Sequence, residues 1–401
     1  MTKSLNDAFF PLLITSSILG LTVLEWPMSK IITYVNILYI ILLWIVYFIS
    51  VKYLAIYESF SNYYKNGPSV ISLYFIEVTT IASVLSYLYN SKNLVKCLKK
   101  MSVLDDTLKE LGFQMEYTKI RKLMILVVVG WFISTILLNT CDIILSSIYG
   151  ILPIIILCVT NHTVHINTIL DLSFIIFLLY QRNRFRKLNE YIIQRCQVKD
   201  RTRNMFEDHM TNTTYCSNVM KTNLEDYDIW ISMHIHLELS RICNNLNTIF
   251  EIPMLLEMIS FFISGIALIG ELYATLTNSD PLDDKIGIVL NLLIWNSFYF
   301  MKLYVINYTC EIVKVEANRT QILTQKVMDY LCLKIRAEVF QFISEINYKR
   351  VNFSAFGFYE YGYTFIHQFC GAITTYLIIL LQVETTPNNF NNTTSIVNFK
   401  M

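Results

Sequence analysis

Charge is what this sequence has least of. Only 16% of its 401 residues are Asp, Glu, Lys or Arg, where soluble domains average about 25%. Glycine (11) and proline (7) are scarce, which excludes collagen-like and low-complexity disordered chains. A basic excess is missing too: 32 Lys and Arg meet 31 Asp and Glu, for a net charge of +1. Nucleic-acid binders carry such an excess, so no nucleic-acid partner is expected. The nine cysteines include no Cys-x-x-Cys pair, and none falls in a segment expected outside the cell. An external disulfide framework is therefore not expected. No nucleophile elbow or phosphate-binding loop occurs. His162 and His165 stand three apart, but no further ligand accompanies them, so packed or pocket histidines are the simpler reading than a metal site. Neither an enzyme nor a cofactor is expected.

Apolar residues fill the gap. They make up 54% of the chain, with 14% aromatic, and the mean hydropathy is +0.45. A helix needs about 20 apolar residues to cross a bilayer core of about 30 Å. Seven runs qualify: Ile31–Ile56, Pro68–Tyr89, Leu123–Ser147, Ile151–Tyr180, Phe250–Thr275, Ile286–Tyr308 and Gly357–Gln382. The expected class is all-α, a multi-pass membrane protein with seven transmembrane helices. Phe9–Trp26 is a weaker run, broken by Pro11, Gly20 and Thr15–Ser17. It reads as interfacial or packed against the bundle.

The basic residues orient the chain. Segments 1–30, 91–122, 181–249 and 309–356 hold 27 of the 32 Lys and Arg, and segments 50–67, 276–285 and 383–401 hold four. Basic loops stay cytoplasmic, so the N terminus is expected inside and the C terminus outside. A seven-helix G-protein-coupled receptor has the opposite arrangement and is the rival reading. The tail then exposes the acceptor sequons at Asn391 and Asn392 to glycosylation, while Asn212 should stay bare. The domain plan is a 1–30 cytoplasmic or interfacial segment, a 31–308 bundle of six helices, a 309–356 cytoplasmic anchor, a 357–382 seventh helix and a 383–401 external tail.

The basic loops read as helical. Lys92–Met115 lacks proline. Apolar residues recur at helical spacing in Tyr227–Phe250 (Ile235, Leu239, Ile242, Leu246, Ile249) and in Val327–Ile346 (Val327, Leu331, Ile335, Val339, Phe342, Ile346). His234 and His236 read as a solvated loop face.

The seventh run carries a pattern. Gly357, Tyr361, Thr364, Gln368, Gly371, Thr375, Ile378 and Gln382 alternate in steps of four and three, which places them on one helix face. A mostly small and polar face in lipid must meet protein or water. It is either a close helix-packing seam or a pore wall repeated around a symmetry axis.

Thr375-Tyr376, five apolar residues Leu377–Leu381 and then Gln382 resemble the Thr-Tyr-(five apolar)-Gln-Phe signature of insect gustatory receptors. Phe353-Ser354-Ala355-Phe356-Gly357-Phe358 is similar to that family's approach to its last helix. Val383 stands where the family has the closing Phe. The resemblance implies a ligand-gated, non-selective cation channel, homo- or heterotetrameric, in the plasma membrane of a sensory neuron. A small tastant, sugar or bitter compound, would open it. A related odorant-receptor-type subunit shares this plan. The seventh helix would line the pore with Gln368, Gly371, Thr375, Ile378, Gln382 and Val383. The ligand would sit in the outer halves of helices two to six, near Tyr74, Glu77, Asn139, Asp142, His162, His165, Ser264, Glu271, Asn291 and Trp295. Each of these could instead serve interhelical hydrogen bonding.

Overall fold

The computed structural model describes residues 4–21, 30–55, 67–145, 151–207, 215–277, 282–328 and 333–385. Among them are nine helices and one short hairpin: α1 (Leu5–Ile18), α2 (Lys30–Ala55), α3 (Gly67–Glu110), α4 (Tyr117–Leu145), α5 (Ile151–Glu207), α6 (Tyr215–Thr277), α7 (Leu282–Met328), α8 (Leu333–Tyr348), β1 (Ser354–Ala355), β2 (Tyr359–Glu360) and α9 (Tyr363–Thr385). The sequons at Asn391 and Asn392, Asn212 and Leu331 lie outside the described residues, as does the side chain of Val383.

The protein is all-α and largely membrane-embedded. Among the described residues, four helical stretches are long and apolar enough to cross a bilayer: Tyr117–Leu145, Leu157–Gln194, Trp230–Thr277 and Lys285–Lys326. Several helices far exceed a bilayer. α3 has 44 residues and α6 has 63, where a span needs about 20. Each joins an apolar run to a helical basic loop without a break. The extra turns bury their apolar stripe: Ile235, Leu239, Ile242, Leu246 and Ile249 are all buried, as are Leu94, Leu98 and Met101 of α3. Cys97 belongs to this packing, and burial pushes its thiol up to about 12. It is a packed thiol, not a reactive one.

α5 is the axis of the bundle. Of its most apolar window, 83% is buried, against 11% for that of α4. Phe174 and Phe177 meet Phe250 of α6 at ring separations of 5.2 and 6.2 Å, and Phe9 of α1 packs on Phe177 at 5.3 Å. These are ordinary aromatic packing distances. α1 starts at the Ser4 cap, whose Oγ accepts from the Asp7 N–H. It buries Leu5, Ala8, Phe9 and Leu12, so it is packed against the bundle.

A buried ion pair ties three helices at one end of this core. Arg184 of α5 donates from Nε to Asp105 Oδ1 of α3 at 2.6 Å and from Nη2 to Oδ2 at 3.0 Å. The Tyr117 hydroxyl of α4 donates to the same carboxylate at 3.0 Å. Tyr180 also donates to it. Fully satisfied buried pairs of this kind hold geometry, and breaking one leaves an uncompensated charge.

Two expectations change. His236 is buried between Phe185 and Phe342, at 5.3 and 5.6 Å, while His234 stacks on Trp230 in the open. The solvated-face reading holds for only one of the pair, because alternate residues of a helix point to different sides. The last helix does not begin at Gly357. Ser354 pairs with Glu360 and Ala355 with Tyr359 in an antiparallel hairpin, turned by Phe356 (φ 50°) and Gly357 (φ 73°). Positive φ ends any helix at that point. Gly357 and Tyr361 are therefore not part of the helical stripe, and Tyr361 is buried in the core beneath the hairpin.

Candidate functional site

α4 and α5 run antiparallel, which brings together polar residues 19 to 34 positions apart in sequence. Asn161 Nδ2 donates to Asp142 Oδ2 at 2.9 Å and lies 3.0 Å from Asn139 Oδ1. One turn along α5, His165 Nε2 lies 3.3 Å from Asn139 Nδ2, and its carbonyl accepts from Trp131 Nε1 at 3.1 Å. α7 closes the cluster: Asn291 Nδ2 donates to Asp142 Oδ1 at 2.6 Å. Four sequence-predicted residues, Asn139, Asp142, His165 and Asn291, thus form one hydrogen-bonded group. Asn161, the member not singled out from the sequence, opens an Asn161-His162-Thr163 acceptor sequon.

The other predicted residues arrange around this group. Trp295, one turn from Asn291 on α7, packs with Ile76 of α3 and Val164 of α5 and on Tyr299 at 5.9 Å. His162 turns toward Tyr47 of α2, with ring centroids 6.0 Å apart, so the two histidines serve different neighbours. Among the described residues no group of three His, Cys, Asp or Glu could hold a metal. Ser264 is buried, and its Oγ has no hydrogen-bond partner among the described residues. Glu77 and Glu271 are half-buried. Tyr74 is 64% exposed and points away from the cluster.

A second polar group sits further along the same helices. Lys302 Nζ of α7 lies 2.8 Å from Asp171 Oδ2 of α5 and 2.7 Å from Glu257 Oε1 of α6. The Phe261 and Phe298 rings stand 5.0 and 5.8 Å away. A lone lysine inside an apolar run is the sequence signal for such a group, since it needs acids on the facing helices.

α9 is the opposite kind of element. Phe365, Ile366, Phe369, Ile373 and Leu377 are half-buried; Phe369 packs on Phe262 of α6 at 5.8 Å and Phe365 on Tyr359 at 4.3 Å. At about 100° per residue, Thr364, Gln368, Gly371, Thr375, Ile378 and Gln382 fall on the side opposite this covered face. All six are exposed, as is Tyr376. Thr375 Oγ1 donates to its own helix at Gly371 O, 2.9 Å away, which leaves its lone pairs facing outward.

The start of α9 is gripped by α7. The Gly362 N–H donates to Asn307 Oδ1 at 3.0 Å. Gly362 has φ 151°, which strains any residue with a Cβ, and a Cβ there would lie 2.5 Å from Glu311 Oε2 and force that carboxylate to shift. α6 holds the hairpin before it: Phe356 N donates to Glu251 Oε1 at 2.6 Å and Asn247 Nδ2 to Ser354 O at 3.0 Å. α7 therefore touches the polar cluster at Asn291 and the root of α9 at Asn307.

Long apolar helices, a polar cluster inside them and an exposed polar-striped last helix describe a membrane helix bundle. The 7tm chemosensory receptor family matches residues 9–386, and the chain belongs to it. The protein is thus a multi-pass membrane chemoreceptor of the insect gustatory and odorant type, and not an enzyme. A Drosophila melanogaster protein that carries the name gustatory receptor 28a is 22% identical over 386 residues, covering 83% of this chain and 84% of its own. The solved structure of the insect olfactory receptor OR5 from Machilis hrabei, in complex with eugenol, is 13% identical. It covers 94% of this chain and 98% of its own, with a TM-score of 0.51, a likeness of fold.

Proposed function

We propose that this chemoreceptor is a subunit of a ligand-gated, non-selective cation channel opened by a small tastant. Seven helices, α2 to α7 and α9, cross the plasma membrane of a sensory neuron, with the N terminus inside and the C terminus outside. The charge split, 27 basic residues against four, supports that orientation. Four copies, identical or related, surround an axis lined by α9. The observation that carries this reading is the α9 stripe: Gln368, Gly371, Thr375, Ile378 and Gln382 are exposed opposite the helix's own packing face. Polar side chains there replace part of an ion's hydration, and Ile378 supplies an apolar ring that closes by dewetting. Val383 is assigned to the same mouth by its place after Gln382.

The ligand enters the outer halves of α3 to α7 and meets the group built on Asn139, Asp142, His165, Asn291 and Trp295. It opens the pore by binding the open state more tightly than the closed one. α7 passes the bias to α9 through Asn307 and Gly362. An odorant-receptor-type subunit is the second reading, and the 94% coverage by an olfactory-receptor fold favours it. A panel of sugars, bitter compounds and volatile odorants in whole-cell recording separates the two. In that assay Gln382→Ala should change conductance with surface expression intact, and Trp295→Ala should shift ligand potency more than ion permeation. Currents that require GTP-dependent signalling would contradict the channel reading.

A further inference from the structure

Two acidic sites face the same side of α7 and differ in one respect. The inner one contains an ammonium. Lys302 Nζ is shared by Asp171 and Glu257 and flanked by the rings of Phe261 and Phe298. Carboxylates with aromatic faces are what an alkylammonium requires once water is removed. The outer one repeats the acid and the aromatic wall without the cation. Asp142 is buried, and each of its oxygens accepts an amide hydrogen bond, from Asn161 and from Asn291. Among the described residues no Lys, Arg or His lies within ion-pair distance of it. Lys302 cannot serve both sites. It is held by two carboxylates, and its Cα stands about 16 Å along the α7 axis from that of Asn291.

Asn291, Trp295 and Tyr299 follow one another at intervals of four, so one α7 face leads from Asp142 past two aromatic rings toward Lys302. A second, independent feature lies against that face. Ser264 is 2% exposed, and its hydroxyl has no hydrogen-bond partner among the described residues. Buried hydroxyls at Thr80, Ser173 and Ser240 donate to the carbonyl four residues back; Ser86 is another without a partner among the described residues. Ser264 lies between Phe261 and Leu268 on α6. Phe261 packs on Tyr299 at 5.8 Å, and Leu268 packs on the Trp295 cluster, so the hydroxyl between them turns to the same side.

We propose that this outer site takes a ligand bearing a protonated amine. Its ammonium pairs with Asp142, its apolar body lies along Trp295 and Tyr299, and Ser264 supplies one further hydrogen bond. The inference rests on the chemoreceptor reading and narrows its ligand class. A carboxylate ligand would meet Asp142 as a like charge. A neutral sugar would leave it without a counter-charge.

The test uses matched triples on three scaffolds, phenyl, cyclohexyl and indolyl. Each triple is an ethylamine, its uncharged propyl isostere and its propionate. The full chain, reconstituted in lipid nanodiscs, is scored by thermal shift, and the same compounds are applied in whole-cell recording. The amines should stabilise the protein more than their isosteres, and the propionates least. Asp142→Asn should weaken the amine effect on the order of tenfold to a hundredfold, the range for losing a charge-assisted bond. Ser264→Ala should weaken it by a smaller factor. It leaves no buried group unpaired, so it reports on the site even if Asp142→Asn fails to fold. Isosteres that match or exceed the amines, no amine effect on any scaffold, or amine effects that survive both variants would overturn the proposal. Neutral isosteres that open currents weakened by Trp295→Ala would overturn the amine class and keep the receptor reading. Amines that bind through Asp142 yet open no current would keep the site and overturn the channel reading.

Discussion

α5 and α9 both carry long apolar stretches, and they stand in opposite surroundings. α5 is enclosed by its own chain, with 83% of its most apolar window buried. α9 is covered on one face only, and its six stripe residues are exposed. The difference lies in where the polar groups go. On α5 several find partners within the chain, Asn161 on Asp142, Asp171 on Lys302 and Arg184 on Asp105, while the buried Gln181 amide has none among the described residues. On α9 the hydroxyls of Thr374 and Thr375 fold back on their own helix, and the stripe looks away from the bundle. Polar groups are tolerated in lipid only against protein or water. A helix whose polar stripe is left exposed by its own chain suits the pore-lining place proposed for α9.

This contrast can be broken in graded steps. The largest effect is expected in the α5 core. Phe177→Ala should cost about 3–5 kcal/mol through the cavity left between Phe9 and Phe250, read as loss of folded protein in a detergent melting assay. Arg184→Met should cost a similar or slightly smaller amount, about 3–5 kcal/mol, because Asp105 is left buried without its counter-charge. A double variant that also replaces Asp105 with Leu should recover part of that loss. Asn307→Ala removes the acceptor for the Gly362 amide, worth about 1–3 kcal/mol. Here the expected readout is a shifted ligand potency with unchanged conductance; a change confined to conductance would mean that α7 does not set the α9 root. The smallest stability effect is expected on the α9 stripe, where Ile378→Ala should stay within about 0.5 kcal/mol while altering the closed-state leak.

Much of this contrast is legible in the residues themselves. Apolar runs predict the long helices, and the helical spacing of Ile235 to Ile249 predicts the buried stripe that α6 carries beyond its apolar run. The α9 stripe is readable from Thr364 onward. What the sequence conceals is pairing across helices. Lys302, Asp171 and Glu257 are visible one by one as charges in apolar runs, yet nothing local says that they meet. Asn161 hides in a sequon, and His236 looks no different from His234 until Phe342 arrives from α8. The hairpin is hidden for another reason. Its turn depends on the positive φ of Phe356 and Gly357, and four-three spacing continues across it by chance. Tyr74 shows the limit of counting polar groups, since a tyrosine at an apolar surface can simply face outward.

The most direct test of the central claim is a cysteine scan along α9 in a Cys370→Ser background, since Cys370 is itself exposed. Currents are recorded while a positively charged thiol reagent is applied to the open channel. The account predicts block at Gln368, Gly371, Thr375 and Ile378, spaced three and four apart, and none at Ile373 or Leu377 on the covered face. Block that ignores this spacing, or that appears on the covered face and spares the stripe, would contradict it and place the ion path elsewhere.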